Sequence, residues 1–187
     1  DLLSVSKVIR SGRIVQGEVV EKFENKVAKY IGVDGAVAMN TGTSALHLSL
    51  LAIGIKEGDY VAMPSFVCTA LLNAVRYVGA HPTLVDIDPE TYNIDIRDLK
   101  KRVKKSTKAI ILPHLFGLPA DIDEIVSLGI PVIEDCAQAI GAVYKGRKVG
   151  SFGKLSCFSF YATKVLSTGE GGMVVSDSKS LLKKIRD

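Results

Sequence analysis

Val19, Val20, Phe23, Val27 and Ile31 recur at helical spacing through EVVEKFENKVAKYI, with charges between them, so residues 18–31 predict an amphipathic helix. A different rhythm follows. Short unbroken apolar runs occur at Ala36-Val37-Ala38-Met39, Tyr60-Val61-Ala62-Met63, Thr83-Leu84-Val85-Asp86, Ala109-Ile110-Ile111-Leu112 and Ile130-Pro131-Val132-Ile133. Each is short for a helix and suits a strand covered on both faces. Helical patterns fall between them: SALHLSLLAIG (44–54), residues 67–78, a basic segment at 95–105 and an acidic one at 121–127. This alternation predicts an α/β protein, a three-layer α/β/α arrangement around a mostly parallel mixed sheet. After residue 141 the pattern changes. AVYKGRKVGS reads as a hairpin around Lys145-Gly146, short strands follow near 155–160 and 172–175, and SLLKKIRD reads as a helix capped by Ser176 or Asp177.

No composition shift marks a domain boundary in the 187 residues, which suit one domain or a large part of one. The 47% hydrophobic content and mean hydropathy of +0.24 fit a soluble globular core. Net charge is +4, but the excess lies in patches such as Lys100-Lys101-Arg102 and Lys104-Lys105, with none of the aromatic platforms a nucleic-acid binder would carry. Cys68, Cys136 and Cys157 are odd in number and far apart, and His47, His81 and His114 lack ligand spacing. Neither a disulfide framework nor a metal site is expected, and a reducing cytoplasm is the simplest setting. No apolar run approaches the roughly 20 residues that span a bilayer, and DLLSVSKVIRSGR lacks a signal-peptide core. The first residue is not Met and the last lies in a helical pattern, so a longer polypeptide is expected.

In an open α/β sheet, ligands gather where strands give way to loops and helices. Four such places carry unusual residues. Asn40-Thr41-Gly42-Thr43-Ser44-Ala45 sits at a strand-to-helix turn, where free amides and hydroxyls suit a phosphate; an ordinary cap by Thr41 or Thr43 is the plainer alternative. Glu134-Asp135 ends a buried run, which is costly without a cation or several donors; Asp135 could be a metal ligand, a base, a counter-ion or a helix cap. Gln138 would face the same side if its segment is helical. Ser159 lies on the strand before Lys164, and most strand serines are satisfied core hydroxyls. A single lysine, Lys164, stands between that strand and Gly169, Gly171 and Gly172. Most lysines are surface residues, yet a partly desolvated one is a nucleophile toward carbonyls. Together the four imply a ligand with a phosphate, a basic ring nitrogen and an aldehyde, and pyridoxal 5′-phosphate (PLP) has all three.

The segments GTSAL (42–46), PSFVCTALLNAV (64–75), VDIDPETYNID (85–95), KAIILPHLFGLPADID (108–123), IEDCAQAIGAVYKGRKVGSFG (133–153) and FSFYATKVLSTGEGG (158–172) come in an order that resembles the DegT/DnrJ/EryC1/StrS family of PLP-dependent sugar aminotransferases. The resemblance runs from about residue 12 to the end. It implies an aspartate aminotransferase-like fold and a homodimer. It also implies transfer of an amino group from glutamate to the keto group of a nucleotide-linked sugar, in surface polysaccharide or related glycan synthesis. By position, Lys164 becomes the lysine that condenses with the cofactor aldehyde and Asp135 the partner of its ring nitrogen. Gln138 lies near the ring hydroxyl, and Gly42, Thr43, Ser44 and Ser159 contact the phosphate.

Two departures stand out. Where many relatives stack an aromatic ring on the cofactor, this chain has Cys68, so either Phe66 compensates or the ring is held differently. Relatives also run to about twice this length and carry a small domain, so residues 1–187 are expected to be the PLP-binding large domain. A PLP- or PMP-dependent sugar dehydratase is the alternative within the family, against which Lys164 argues, since a histidine stands there in those relatives. A catalytically silent binding homologue is the alternative from another class.

Overall fold

A computed structural model describes residues 1–187. Its centre is a seven-stranded sheet built from β1 (Gly35–Met39), β2 (Tyr60–Pro64), β3 (His81–Val85), β4 (Thr107–Pro113), β5 (Val132–Asp135), β8 (Leu155–Ser159) and β9 (Gly172–Ser176), in the order β1-β9-β8-β5-β4-β2-β3. The four pairings from β8 through β5, β4 and β2 to β3 are parallel, whereas β9 runs antiparallel to both β8 and β1. The mostly parallel mixed sheet expected from the alternation is therefore present. The predicted hairpin also forms, as β6 (Val143–Tyr144) and β7 (Arg147–Lys148) joined through Lys145 and Gly146, both with positive φ.

The continuous apolar runs are explained by cover on both faces. Side chains alternate across the sheet, so Val37, Val61, Met63, Ile111, Ile133, Cys157 and Val174 enter one core. Ala36, Ala62, Ile110, Leu112, Val132, Phe158 and Val175 enter the other. The first core is closed by α3 (Gly42–Ala52), α4 (Thr69–Tyr77) and α7 (Lys179–Arg186), through residues such as Leu50, Leu71 and Ile185. The second is closed by α2 (Glu18–Ile31), α5 (Ile96–Arg102) and α6 (Ile122–Val126), through Val27, Leu99 and Ile125. Burying one such leucine or isoleucine contributes about 1.5–3 kcal/mol.

Four sequence expectations need correction. The strand expected at 130–133 spans Val132–Asp135, because its parallel ladder with β4 pairs Ile110 with Val132 and continues to Pro113 and Asp135. Both carboxylates lie within this strand, at its end, where the run IPVIED places them. The segment containing Gln138 is a run of turns, not a helix. The cap of α7 is Ser178, whose hydroxyl accepts from the Leu181 N–H, not Ser176 or Asp177. Finally, a helix spans Leu2–Arg10 (α1) where none was expected; none of its residues is buried.

Candidate active site

The ladder registers bring the carboxyl ends of the parallel strands to one edge. Pro113 lies beside Asp135 and Asp135 beside Cys157, while the start of β9 places Gly172 beside both Ser159 and Met39. At that edge opens a cavity of about 280 Å³, lined among others by Gly42, Thr43, Asp135, Gln138, Ser159 and Lys164. Of the seven residues singled out from the sequence, these six share one cavity and Ser44 stands outside its lining. Cys68 also lines it, whereas Phe66 is half exposed and packs on Tyr92 at a centroid distance of 5.7 Å.

On one side of the cavity the chain turns from β1 into α3. Thr41 is the N-cap: its Oγ1 accepts from the Ser44 N–H at 3.0 Å and lies 3.0 Å from the Ser44 hydroxyl. That commits Ser44 to the helix end and leaves the amides of Gly42 and Thr43 at a free N-terminus, where an anion is favoured by both the N–H groups and the dipole.

Opposite, Glu134 and Asp135 are consecutive carboxylates in contrasting surroundings. Glu134 is fully buried and saturated: Oε2 accepts from His114 Nε2 (3.0 Å) and Gly150 N (2.8 Å), and Oε1 from Phe152 N (2.8 Å), Gly153 N (2.6 Å) and the Ser156 hydroxyl (3.1 Å). Asp135 accepts one hydrogen bond, from the Ala137 N–H to Oδ1 at 3.0 Å; its second oxygen has no protein partner and opens on the cavity. Their acidities divide accordingly. For Glu134, burial pushes the carboxyl up, but the hydrogen bonds from His114, Gly150 and Gly153 outweigh it and hold the group below its ordinary range. For Asp135, burial prevails over the Ala137 N–H and the nearby Lys164, and the carboxyl is raised. Of the two acids, Asp135 is the one equipped to meet a positively charged ligand atom.

His114 has a fixed tautomer. Its Nδ1 accepts from the Ala120 N–H at 3.2 Å, so Nε2 carries the proton donated to Glu134. His114, Glu134 and Cys136 place one potential ligand atom each within 4.8 Å of one another. Both ring nitrogens and both carboxylate oxygens are already committed, so the trio does not offer a metal the free lone pairs it needs. Gln138 accepts from the Phe116 N–H through Oε1 at 3.0 Å, which turns the amide of Gln138, a donor, to the cavity it lines.

Lys164 lies in the turn that follows β8, its N–H bonded to the Tyr161 carbonyl at 2.9 Å, and it takes part in none of the six ion pairs. Tyr161, Glu170 and His114 also line the cavity, and sequence reasoning did not select them. The signal for His114 was its place immediately after the apolar run Ile110-Ile111-Leu112-Pro113, at a strand's carboxyl end.

The parts fit PLP by their chemistry: an amine, an unpartnered carboxylate oxygen, a side-chain amide and an anion-ready helix end around one cavity. The chain matches the DegT/DnrJ/EryC1/StrS aminotransferase family over residues 1–187. It is 47% identical over 170 residues to GDP-perosamine synthase of Escherichia coli O157:H7, an alignment covering 89% of this chain and 47% of that protein. It is 43% identical over 190 residues to the UDP-N-acetyl-3-dehydro-α-D-glucosamine 3-aminotransferase of Acidithiobacillus ferrooxidans, covering 99% and 52% respectively. Among solved structures, the PLP-form of Spr1654 from Streptococcus pneumoniae superposes with a TM-score of 0.94 at 28% identity, covering 99% of this chain and 54% of that one. The chain spans about half the length of the curated relatives it matches. By sequence match and by fold, it belongs to the DegT/DnrJ/EryC1/StrS aminotransferase family.

Proposed function

We propose that this chain is the PLP-binding large domain of an aminotransferase that moves an amino group from glutamate to the keto group of a nucleotide-linked sugar. The observation that carries the reading is the convergence of Lys164, Asp135 and the Gly42–Thr43 helix end on one cavity. The sugar class is supported by the relatives, whose names include a GDP-perosamine synthase and a UDP-sugar 3-aminotransferase. The presence of Lys164 favours transamination over the dehydratase alternative and over a silent binder.

Bound here, PLP supplies an aldehyde for amines and a ring that takes up the electron pair freed at the substrate's α carbon. The residues have separate tasks. The amides of Gly42 and Thr43, with the Ser159 hydroxyl, hold the phosphate, while Ser44 keeps the helix end in shape. The Asp135 oxygen that opens on the cavity holds a proton on the ring nitrogen, and the Gln138 amide donates to the ring oxygen. The Lys164 amine would hold the aldehyde end of the cofactor and, when free, would move a proton at the substrate α carbon, as base and then acid. The buried wall formed by Leu46, Leu71 and Phe158 keeps water from the proton's path.

We place the enzyme in a reducing cytoplasm, consistent with three free thiols, and read it as a homodimer, the state expected by light scattering. No helix is long and apolar enough to cross a membrane. The test is borohydride treatment of the protein mixed with PLP, followed by peptide mass spectrometry. The expected result is reduced cofactor fixed on Lys164; a yellow protein labelled elsewhere overturns the assignment.

A further inference from the structure

The Glu134–His114 pair is the most completely satisfied polar group in the molecule, and the chemistry above does not use it. Glu134 gathers donors from three places: His114 at the end of β4, Ser156 in β8, and the loop amides of Gly150, Phe152 and Gly153. His114 in turn ties down two more segments, since its N–H donates to the Asp135 carbonyl at 3.2 Å and its Nδ1 receives the Ala120 amide. The carboxylate therefore clamps the strand end and the two loops that border Asp135.

A side chain needed only for packing would be apolar at such a position, because a buried carboxylate loses its hydration and regains it only through a full set of donors. Here the set is full and fixed in direction. The His114 tautomer forces an N–H toward Glu134, and the four other partners are N–H or O–H groups. A neutral amide at 134 would turn an N–H against at least one of them.

We propose that Glu134 is a positioning residue of the site: with its five donors it fixes the strand end from which the free Asp135 oxygen meets the cofactor's ring nitrogen. The inference rests on the reading of Asp135 given above. The titratable groups around Glu134 are Asp135 and Cys136 on its own segment, His114 from β4 and Cys157 from β8, with Lys164 across the cavity. Both thiols are pushed up by burial and are neutral, and His114 is neutral by tautomer. Glu134 is therefore a standing negative charge behind Asp135. It favours the protonated forms of the ring nitrogen and of the lysine-bound amine.

The experiment compares Glu134→Gln, and Ser156→Ala as a milder loss of one donor, with the wild-type holoenzyme. Three readouts are taken: PLP affinity, the pH at which the bound cofactor's yellow band gives way to its near-ultraviolet form, and the Tm of the apo-protein. The expected result for Glu134→Gln is a Kd for PLP raised about tenfold or more and a colour transition about one pH unit lower, equivalent to about 1.4 kcal/mol for either change. Ser156→Ala should shift both in the same direction by less, with apo-protein Tm close to wild type. If both variants keep the wild-type colour transition and affinity while only the Tm of Glu134→Gln falls, the carboxylate is merely structural and the proposal is overturned. A wild-type protein that binds no PLP would overturn the function and this inference together, whereas normal wild-type binding with unshifted variants overturns the inference alone.

Discussion

Gly42 and Ser159 meet across the edge of the sheet: a β carbon built on Gly42 would stand 2.9 Å from the Ser159 β carbon and 3.3 Å from its hydroxyl oxygen. The contact joins the first residue of α3 to the last of β8. Two groups distant in sequence, both proposed to hold the phosphate, thus share one corner, and only a residue without a side chain lets them close to that distance.

Gly42→Ala tests that corner. The added methyl has to push Ser159 aside by several tenths of an ångström, which moves the hydroxyl away from the helix amides. The expected outcome is a Kd for PLP raised at least tenfold, with stability lowered by about 1 kcal/mol, as for a modest overpacking. Equilibrium dialysis against PLP and thermal melts of the apo-protein check the two parts separately. Unchanged affinity would place the phosphate elsewhere.

Lys164→Ala removes the one amine that lines the cavity. Because the residue sits in a turn and joins no ion pair, apo-protein stability should stay within about 0.5 kcal/mol of wild type, as for surface substitutions generally. Conversion of glutamate to its keto acid should fall by at least three orders of magnitude, since the proposed proton carrier is lost. Single-turnover product analysis measures it, and keto-acid formation at the wild-type rate would remove Lys164 from the mechanism.

The fold was legible because each buried strand is a short apolar run, as at Ala109-Ile110-Ile111-Leu112, and each is followed by a recognisable helix or turn. The candidate site was legible as a list of residue types at strand ends. What could not be read was pairing. Nothing in the local sequence says that Cys157 lies beside Asp135, or that the 150–153 loop returns to wrap Glu134. For that reason the sequence singles out Asp135 without showing that Glu134 beside it is saturated while Asp135 is open. Ser44 was misleading for a related reason: its amide and hydroxyl look free in sequence but are taken by Thr41. The α1 helix escaped because no neighbour buries its apolar residues.

Asp135→Asn separates folding from chemistry. Burial raises the Asp135 carboxyl, so the native apo-protein binds that proton more tightly than the unfolded chain. This contribution is fully present below the ordinary carboxylate pKa of about 3.9 and is lost as pH rises through the raised native value. Asparagine keeps the acceptor for the Ala137 N–H and carries no charge to desolvate. The Tm of the variant apo-protein should therefore exceed wild type at neutral pH and converge with it below about pH 4. Activity should move the other way and fall at least a hundredfold, because a neutral amide does not hold a proton on the ring nitrogen. Paired melts and single-turnover rates across pH decide it; a variant less stable at neutral pH would mean that Asp135 is ionised without cost in the apo-protein.

Gly172→Ala should be the most damaging of these changes, and through the fold alone. At the start of β9, a β carbon on Gly172 would overlap the Thr41 carbonyl and come within 2.7 Å of the Gly42 nitrogen. Both obstacles are backbone, held by the pairing of Met39 with Gly172 and by the capped end of α3, so neither swings aside as a side chain would. Relief requires β9 to part from β1 or the helix end to shift. The expected cost is about 3 kcal/mol or more, at or above the upper end for overpacked cores, with a lower urea midpoint even without PLP. Because β9 also pairs Gly172 with Ser159, the strain reaches the corner proposed for the phosphate, and any folded fraction should bind PLP weakly. Wild-type stability in the variant would show that the loop from Asn40 to Gly42 is softer than its hydrogen bonds imply.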